Sequence, residues 1–260
     1  MMRAVTRILG VFESFTAART SLTLQEIANQ IGLPKSTTFR IVQSLEKAGY
    51  LIRMENHKYC LSFWFTRLAG LVQSTLDIRQ IARPIMIELG AEVGETVTLN
   101  TLRGQYRVCL DVVETSSLLR SNTSAGAQVR LVDGATAKML MAHMPENALN
   151  KALNYATKVA KRAKAQYLAE LKRIRAQDMA VTHGERAVGL TAVSAPIRDA
   201  NGEVKYCLTI AGPTARMEPA TETYVRAVTR AAKNISRRLG SPVAMQAEGR
   251  KKGATAKAPG

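Results

Sequence analysis

The chain has 260 residues, 46% of them hydrophobic, which is enough for two domains with buried cores and excludes a wholly disordered protein. Three cysteines, Cys60, Cys109 and Cys207, are too few and too far apart to hold a disulfide-framed fold; they read as reduced packing thiols of a cytoplasmic protein. Lys and Arg number 37 against 20 Asp and Glu, a net charge of +17, so the partner to look for is an anion such as nucleic acid. The longest apolar stretch, Leu61–Leu76, is interrupted by Arg67, so no membrane span is expected. Arg3, Arg7, Glu13 and Arg19 do not suit a secretory leader.

In chain order, Val5, Ile8, Leu9, Phe12 and Phe15 recur at helical spacing and predict a helix with one apolar face. Thr23-Leu24-Gln25-Glu26 is a capping-box pattern that opens a second helix, with Leu24, Ile27, Ala28 and Ile31 inward and Gly32 at its C-terminal stop. After Leu33-Pro34 a third helix starts near Lys35 and ends at Gly49, with Thr38, Val42, Leu45 and Ala48 as its apolar stripe. Residues 50–53 and 58–61 predict two short strands around the polar turn Glu55-Asn56-His57. A long helix is expected from Phe63 to Ile78, with a domain boundary between Asp77 and Arg83.

Beyond the boundary the pattern mixes helices and strands. Helices are expected over Pro84–Val93, in the second half of Leu131–Met144, over the basic stretch Lys151–Ala180 and over Thr221–Leu239. Strands are expected over Thr96–Leu102, Tyr106–Val113, Val188–Ile197 and Val204–Ile210. The last two strands are joined by Asp199-Ala200-Asn201-Gly202, a hairpin signal. Strands and helices without regular alternation imply an α+β domain around an antiparallel sheet. Residues 241–260, with Arg250, Lys251 and Lys252 and little apolar content, predict a disordered basic tail.

Three short helices followed by a hairpin form the plan of a winged helix-turn-helix. A helix fits the major groove of B-DNA, and the residues of its first turns reach base edges. The candidates are Lys35, Ser36, Thr37 and Arg40 at the start of the third helix. Thr38 lies on the inward stripe but is counted with the hydroxyls of that first turn. Arg53, Asn56, His57 and Lys58 are candidates on the wing. Residues 1–80 hold ten Lys/Arg against five Asp/Glu, so charge alone would not single out this domain. Residues 151–175 hold eight Lys/Arg against Glu170, which reads as a solvated helix face before it reads as a second DNA surface.

No Gly-x-Ser-x-Gly elbow, phosphate loop or Gly-x-Gly-x-x-Gly is present. His57, His143 and His183 lie at no metal-ligand spacing, and His183-Gly184-Glu185 lacks the Pro-Cys-x-x-Cys of a zinc deaminase. Ser194 has no base placed for it. No enzyme activity, metal or cofactor is expected.

The chain resembles the IclR-type family of bacterial transcription regulators over roughly residues 3–240. The segments that carry the resemblance begin with Arg3-Ala4-Val5-Thr6-Arg7-Ile8-Leu9, Leu24-x-x-Ile27-Ala28, Gly32-Leu33-Pro34-Lys35-Ser36-Thr37-Thr38-Phe39-Arg40, Leu45-x-x-x-Gly49-Tyr50 and Tyr59-x-Leu61. In the second domain they are Gly94-Glu95-Thr96-Val97, Asp133-Gly134-Ala135-Thr136-Ala137-Lys138, Gly184-Glu185, Gly189-Leu190, Ala195-Pro196-Ile197-x-Asp199 and Gly212-Pro213. The resemblance implies a winged helix-turn-helix in 1–62, a linker helix in 63–80, a GAF-like effector-binding domain in 81–240 and the tail in 241–260. It implies a regulator of a catabolic operon that binds a palindromic DNA operator as a homodimer or a dimer of dimers, with a small carboxylate or aromatic acid as effector.

Position by position, the family's effector pocket falls on Ala135 and Thr136, Thr182, Leu190 and Ala192, and Thr209 and Ala211. The sequence departs from the family at Ala137, often glycine, and at Thr182 and Ala192, where some carboxylate-binding relatives carry an acid and a cysteine. A pocket without those two groups suits an aromatic ligand better than a two-carbon acid. A nonspecific DNA-compacting protein is the alternative that the charge and tail leave open.

Overall fold

The computed structural model describes residues 3–16, 18–75 and 77–242, with only the backbone of 72–75. The expected tail lies outside the described residues from 243 onward. The chain divides into two compact units between residues 76 and 77.

In the first unit, helix α1 (Arg3–Glu13) is followed by strand β1 (Ser21–Leu22), α2 (Leu24–Ile31), α3 (Lys35–Lys47), β2 (Leu51–Arg53), β3 (Tyr59–Leu61) and α4 (Trp64–Thr75). Thr23 caps α2 as its sequence requires: its Oγ1 accepts from the Glu26 N–H at 3.2 Å, and Glu26 accepts from the Thr23 N–H at 2.7 Å. Gly32 ends α2 at φ 65°, and the next residues turn straight into α3. Strand β1 was not expected; it completes a three-stranded sheet in the order β1-β3-β2. Val11, Leu22, Ile27, Val42, Leu45, Leu51 and Tyr59 form the core of this unit.

Helix α1 leaves the first part of its apolar face open. Val5, Ile8 and Leu9 are exposed, and Val11 and Ser14 are buried instead. Phe12 is half-buried, and its ring meets Phe65 of α4 edge-on at 5.2 Å. The apolar stripe is real: Phe12 and Phe15 pack against the core of this unit, and Val5, Ile8 and Leu9 are left uncovered by the described residues.

The linker helix expected over 63–78 is shorter than expected. It stops at Thr75, and Asp77 caps a new helix, α5 (Ile78–Val93), by accepting the Arg79 N–H at 2.9 Å. Pro84 sits inside α5 rather than opening it. Then come β4 (Thr96–Arg103), β5 (Tyr106–Val113), β6 (Gln128–Arg130), α6 (Ala135–Ala142), α7 (Glu146–Ala160), α8 (Lys164–Gln177) and β7 (Ala180–His183). They are followed by β8 (Leu190–Arg198), β9 (Val204–Pro213), α9 (Thr214–Met217) and α10 (Thr221–Arg238). The basic stretch expected as one helix over Lys151–Ala180 is two, broken where Lys161 adopts φ 51°, and β7, which starts at the expected end of that helix, was not expected.

Six strands form one antiparallel sheet in the order β6-β5-β4-β9-β8-β7. Residues alternate between its two faces. Val97, Leu99, Val193, Ile197, Leu208 and Ile210 pack against α5 and α10. The other face lies under α6, which α8 and α7 back with a second core around Met139, Leu153 and Tyr167. The α+β class with a flanked antiparallel sheet is the observed architecture. Distant motifs meet in it. Glu95 is buried beneath Gly212, where any Cβ would strike its carboxylate, and Arg216 holds that carboxylate through two bonds of 2.6 and 2.9 Å.

Candidate DNA-reading and effector-binding sites

In the first unit, α3 presents Lys35, Ser36 and Arg40 to solvent, with Thr37 half-buried. Thr38 is fully buried, and its hydroxyl donates to the Pro34 carbonyl at 3.1 Å, so it is removed from the candidate contacts. Its inward place on the apolar stripe decides its role. The start of α3 has no side-chain cap, which leaves its first N–H groups available to a phosphate. The wing turn is built by Met54 N–H to the Lys58 carbonyl (2.8 Å) and by His57 at φ 59°. Asn56 Oδ1 accepts the Lys58 N–H at 3.1 Å, and Arg53 Nη2 lies 3.3 Å from His57 Nδ1. Arg53, Asn56 and His57 are exposed, and Lys58 is half-buried. The unit therefore offers two polar surfaces, the first turns of α3 and the tip of the wing.

In the second unit, the seven expected pocket positions line one cavity. Ala135 and Thr136 come from the first turn of α6, Thr182 from β7, Leu190 and Ala192 from β8, and Thr209 and Ala211 from β9. Strand register explains the convergence. Thr209 pairs with both Thr98 and Ser194, and Ala211 pairs with Ala192, which pairs with Thr182, so these residues share one face in adjacent rows. The free space is about 30 Å³, room for two or three waters.

The hydroxyls are ordered. Thr209 donates to Ser194 Oγ at 2.9 Å, and Ser194 donates to the Leu208 carbonyl at 3.3 Å. Each hydroxyl has one proton, so in the 3.0 Å Thr136–Thr209 contact Thr136 is the donor. Thr182 Oγ1 accepts the Ala135 N–H at 3.0 Å and keeps its own proton free.

The loop ahead of α6 is fixed by ions. Lys138 is fully buried, and its Nζ donates to Glu170 at 2.7 Å and Glu185 at 2.5 Å. Glu185 also accepts the Gly134 N–H at 3.1 Å, and Tyr167 donates to the Val132 carbonyl. Two of the segments quoted above, Asp133–Lys138 and Gly184-Glu185, are thus one ion cluster at the cavity wall. Burial and the neighbouring Glu185 push the Asp133 carboxyl above its ordinary range.

The cavity wall also holds residues that were missed from the sequence, among them two cations, Arg107 on β5 and Arg186 on the loop after β7. Arg107 is only 5% exposed; burial, with Arg186 adding repulsion, pushes its guanidinium down to about 10. Its Nη1 makes one long bond to Asn100 Oδ1 (3.4 Å), and its Nη2 is buried without a partner. Arg186 sits at the mouth, largely open to solvent, and the burial of its inner part also lowers its pKa. Arg107 shares a strand face with Cys109, with Val108 between them on the other, and a charge at such an inward position of an apolar strand was the available clue. Cys109 and Cys207 lie buried on the same face as free thiols, each raised by burial, Cys207 to about 11. Among the described residues, no three His, Cys, Asp or Glu side chains gather as a metal site.

The chain matches the IclR helix-turn-helix domain over residues 4–53 and the bacterial transcriptional regulator IclR C-terminal domain over 71–237. It is similar to the HTH-type transcriptional regulator KipR of Bacillus subtilis, with 30% identity over 85% of this chain and 90% of KipR. Its fold is like that of Pseudomonas aeruginosa HmgR, with a TM-score of 0.76, 22% identity and coverage of 92% of this chain and 97% of HmgR. It is also like that of an IclR homolog from Microbacterium hydrocarbonoxydans crystallised with 4-hydroxybenzoate, with a TM-score of 0.56, 22% identity and coverage of 91% and 98%. The first unit thus carries the helix-turn-helix DNA-binding domain and the second the effector-binding domain of such regulators, and the chain belongs to the IclR family of bacterial transcriptional regulators.

Proposed function

We propose that this regulator binds a palindromic operator of a catabolic operon in the cytoplasm, as a homodimer or dimer of dimers, and that a small acid in the sheet cavity changes its operator affinity. The observation that carries the effector part is the convergence of the seven positions on one cavity walled partly by a buried, unpaired guanidinium. Ala135, Leu190, Ala192 and Ala211 offer apolar contact to an aromatic skeleton, and the Microbacterium homolog bound to 4-hydroxybenzoate supports that choice. A ring needs more than about 30 Å³, so it enters only as side chains at the mouth move.

The dimer is supported by the uncovered stripe of α1, with Val5, Ile8 and Leu9 at 43, 37 and 44% exposure, and by exposed Phe63, Trp64 and Leu68 on or beside α4. Clustered apolar exposure of this kind marks an association surface. Two α3 helices held by such a dimer would meet half-sites one helical turn, or a multiple of it, apart. Lys35, Ser36, Thr37 and Arg40 would enter the major groove, with Arg53, Asn56, His57 and Lys58 on the flanking backbone or minor groove.

A footprint on the DNA upstream of the chain's own gene tests the DNA reading. A short protected palindrome supports it, and uniform coating supports the compacting alternative. Arg40→Ala is expected to weaken operator binding by about 1–3 kcal/mol, roughly 5–150-fold, measured by titration against labelled operator. Unchanged affinity would remove Arg40 from the interface.

A further inference from the structure

Two cations face the cavity, and neither has an acid of its own. Among the described residues, no carboxylate lies within ion-pair distance of Arg107 or Arg186. The one acid in the cavity wall, Asp133, feels Glu185, Lys138, Arg162 and Glu170, the ion cluster around Lys138, rather than the two arginines. Arg107 is 5% exposed and uses one of its five N–H donors on a long bond to Asn100, with Nη2 unsatisfied. A buried charge without a partner is costly, and a protein keeps one where something it binds will complete it. The two guanidiniums also repel each other, which adds to the depression of Arg107. A ligand with one acid group would answer Arg107 and leave Arg186 uncompensated at the mouth.

We infer that the cavity takes a small diacid, one carboxylate on Arg107 at the inner end and the second on Arg186 at the mouth. Thr98 and Thr182 supply free hydroxyl protons between them, since the protons of Thr136, Thr209 and Ser194 are already committed. Arg186 closes the arrangement: it stands beside Gly134 at the start of α6, where its Cβ would lie 3.6 Å from a side chain at that position. The loop already lies against the start of α6 through the Glu185–Gly134 bond, so Arg186 places ligand charge beside the segment that also carries Glu185. This inference rests on the effector reading above and narrows it from acids to diacids.

The test is a titration of the full chain by calorimetry and thermal shift with two matched pairs, succinate against butyrate and phthalate against benzoate. At least one diacid is expected to bind about tenfold or more tightly than its monoacid partner, the scale of one additional charge-assisted contact. Arg107→Gln should abolish binding of both members of a pair. Arg186→Gln, at an exposed position that cannot unsettle the core, should bring the diacid down to the affinity of the monoacid. Equal affinities within each pair, or diacid binding untouched by Arg186→Gln, overturns the inference while leaving the effector reading standing. If no acid of either kind binds, both fall.

Discussion

The two faces of the six-stranded sheet are made from the same strands and differ in every other respect. In β4, Val97 and Leu99 are fully buried against α5 and α10, and Thr98 and Asn100, their immediate neighbours, look into the cavity side. One face is sealed by apolar contact, each large side chain contributing about 1.5–3 kcal/mol by leaving water. The other is equally buried but polar, and its groups are satisfied by one another: Asn100 donates to Thr98 at 2.9 Å, and Thr209 donates to Ser194. Arg107 is left over. A period of two along the strand therefore separates residues that seal the domain's apolar core from residues that line the cavity.

Changes on the two sides should separate accordingly. The largest expected effect lies on the cavity side, in the ion cluster that roofs it. Lys138→Met leaves Glu170 and Glu185 without their shared cation and is expected to cost about 3–5 kcal/mol in urea unfolding. Combining it with Glu170→Gln and Glu185→Gln should recover much of that loss, because the cost comes from stranded charge. On the sealed face, Leu99→Ala is expected to cost about 2–5 kcal/mol in the same assay and to leave acid binding unchanged. A loss of acid binding there, at preserved fold, would dissolve the distinction between the faces.

An intermediate effect is expected from pH. His143, at the C-terminal end of α6, has a buried ring near Asp178, Arg198 and Arg175; burial first, then the arginines, push its pKa from 6.5 down to about 4. It folds neutral, so the unfolded chain binds its proton more readily. Its contribution is present above about pH 6.5 and is lost as pH falls toward 4, roughly 2–3 kcal/mol in all. Unfolding curves of wild type and His143→Gln between pH 7 and 4 should diverge by that amount; parallel curves would show a ring that takes up its proton as readily in the fold as in the unfolded chain. The smallest stability effect, about 1–2 kcal/mol, is expected for Thr136→Ala with Thr209→Val, which removes two hydroxyl contacts, Thr136–Thr209 and Thr209–Ser194, and little volume.

Local chemistry was the part of the fold legible in the sequence. Thr23 and Glu26 announced a cap, Gly32 a stop, and Asn201-Gly202 a hairpin, because each depends on residues a few positions apart. The linker helix was drawn too long because Asp77 was not weighed as a cap. Strands β1 and β6 have two and three residues, too few to show alternation, and exist only through their partners. The stripe on α1 was read correctly as apolar, but only Phe12 and Phe15 of it pack against the core of the unit, since periodicity gives a face and not what covers it. At the cavity, the resemblance supplied seven positions, and the hydroxyl and apolar residues were visible among them. Arg107 and Arg186 were not: the inward charge in an apolar strand was a clue to Arg107 that was passed over, and the absence of a counter-ion for either guanidinium shows only in the packed structure.

The central claim is that a small acid in the cavity governs operator binding. Its most direct test is operator affinity with and without the acid that binds best, for wild type and for Thr136→Ala with Thr209→Val. Wild type should shift by roughly 5–150-fold, the range of a 1–3 kcal/mol coupling, and the double variant should bind operator normally with the shift much reduced. Wild-type operator affinity indifferent to a bound acid would contradict the claim.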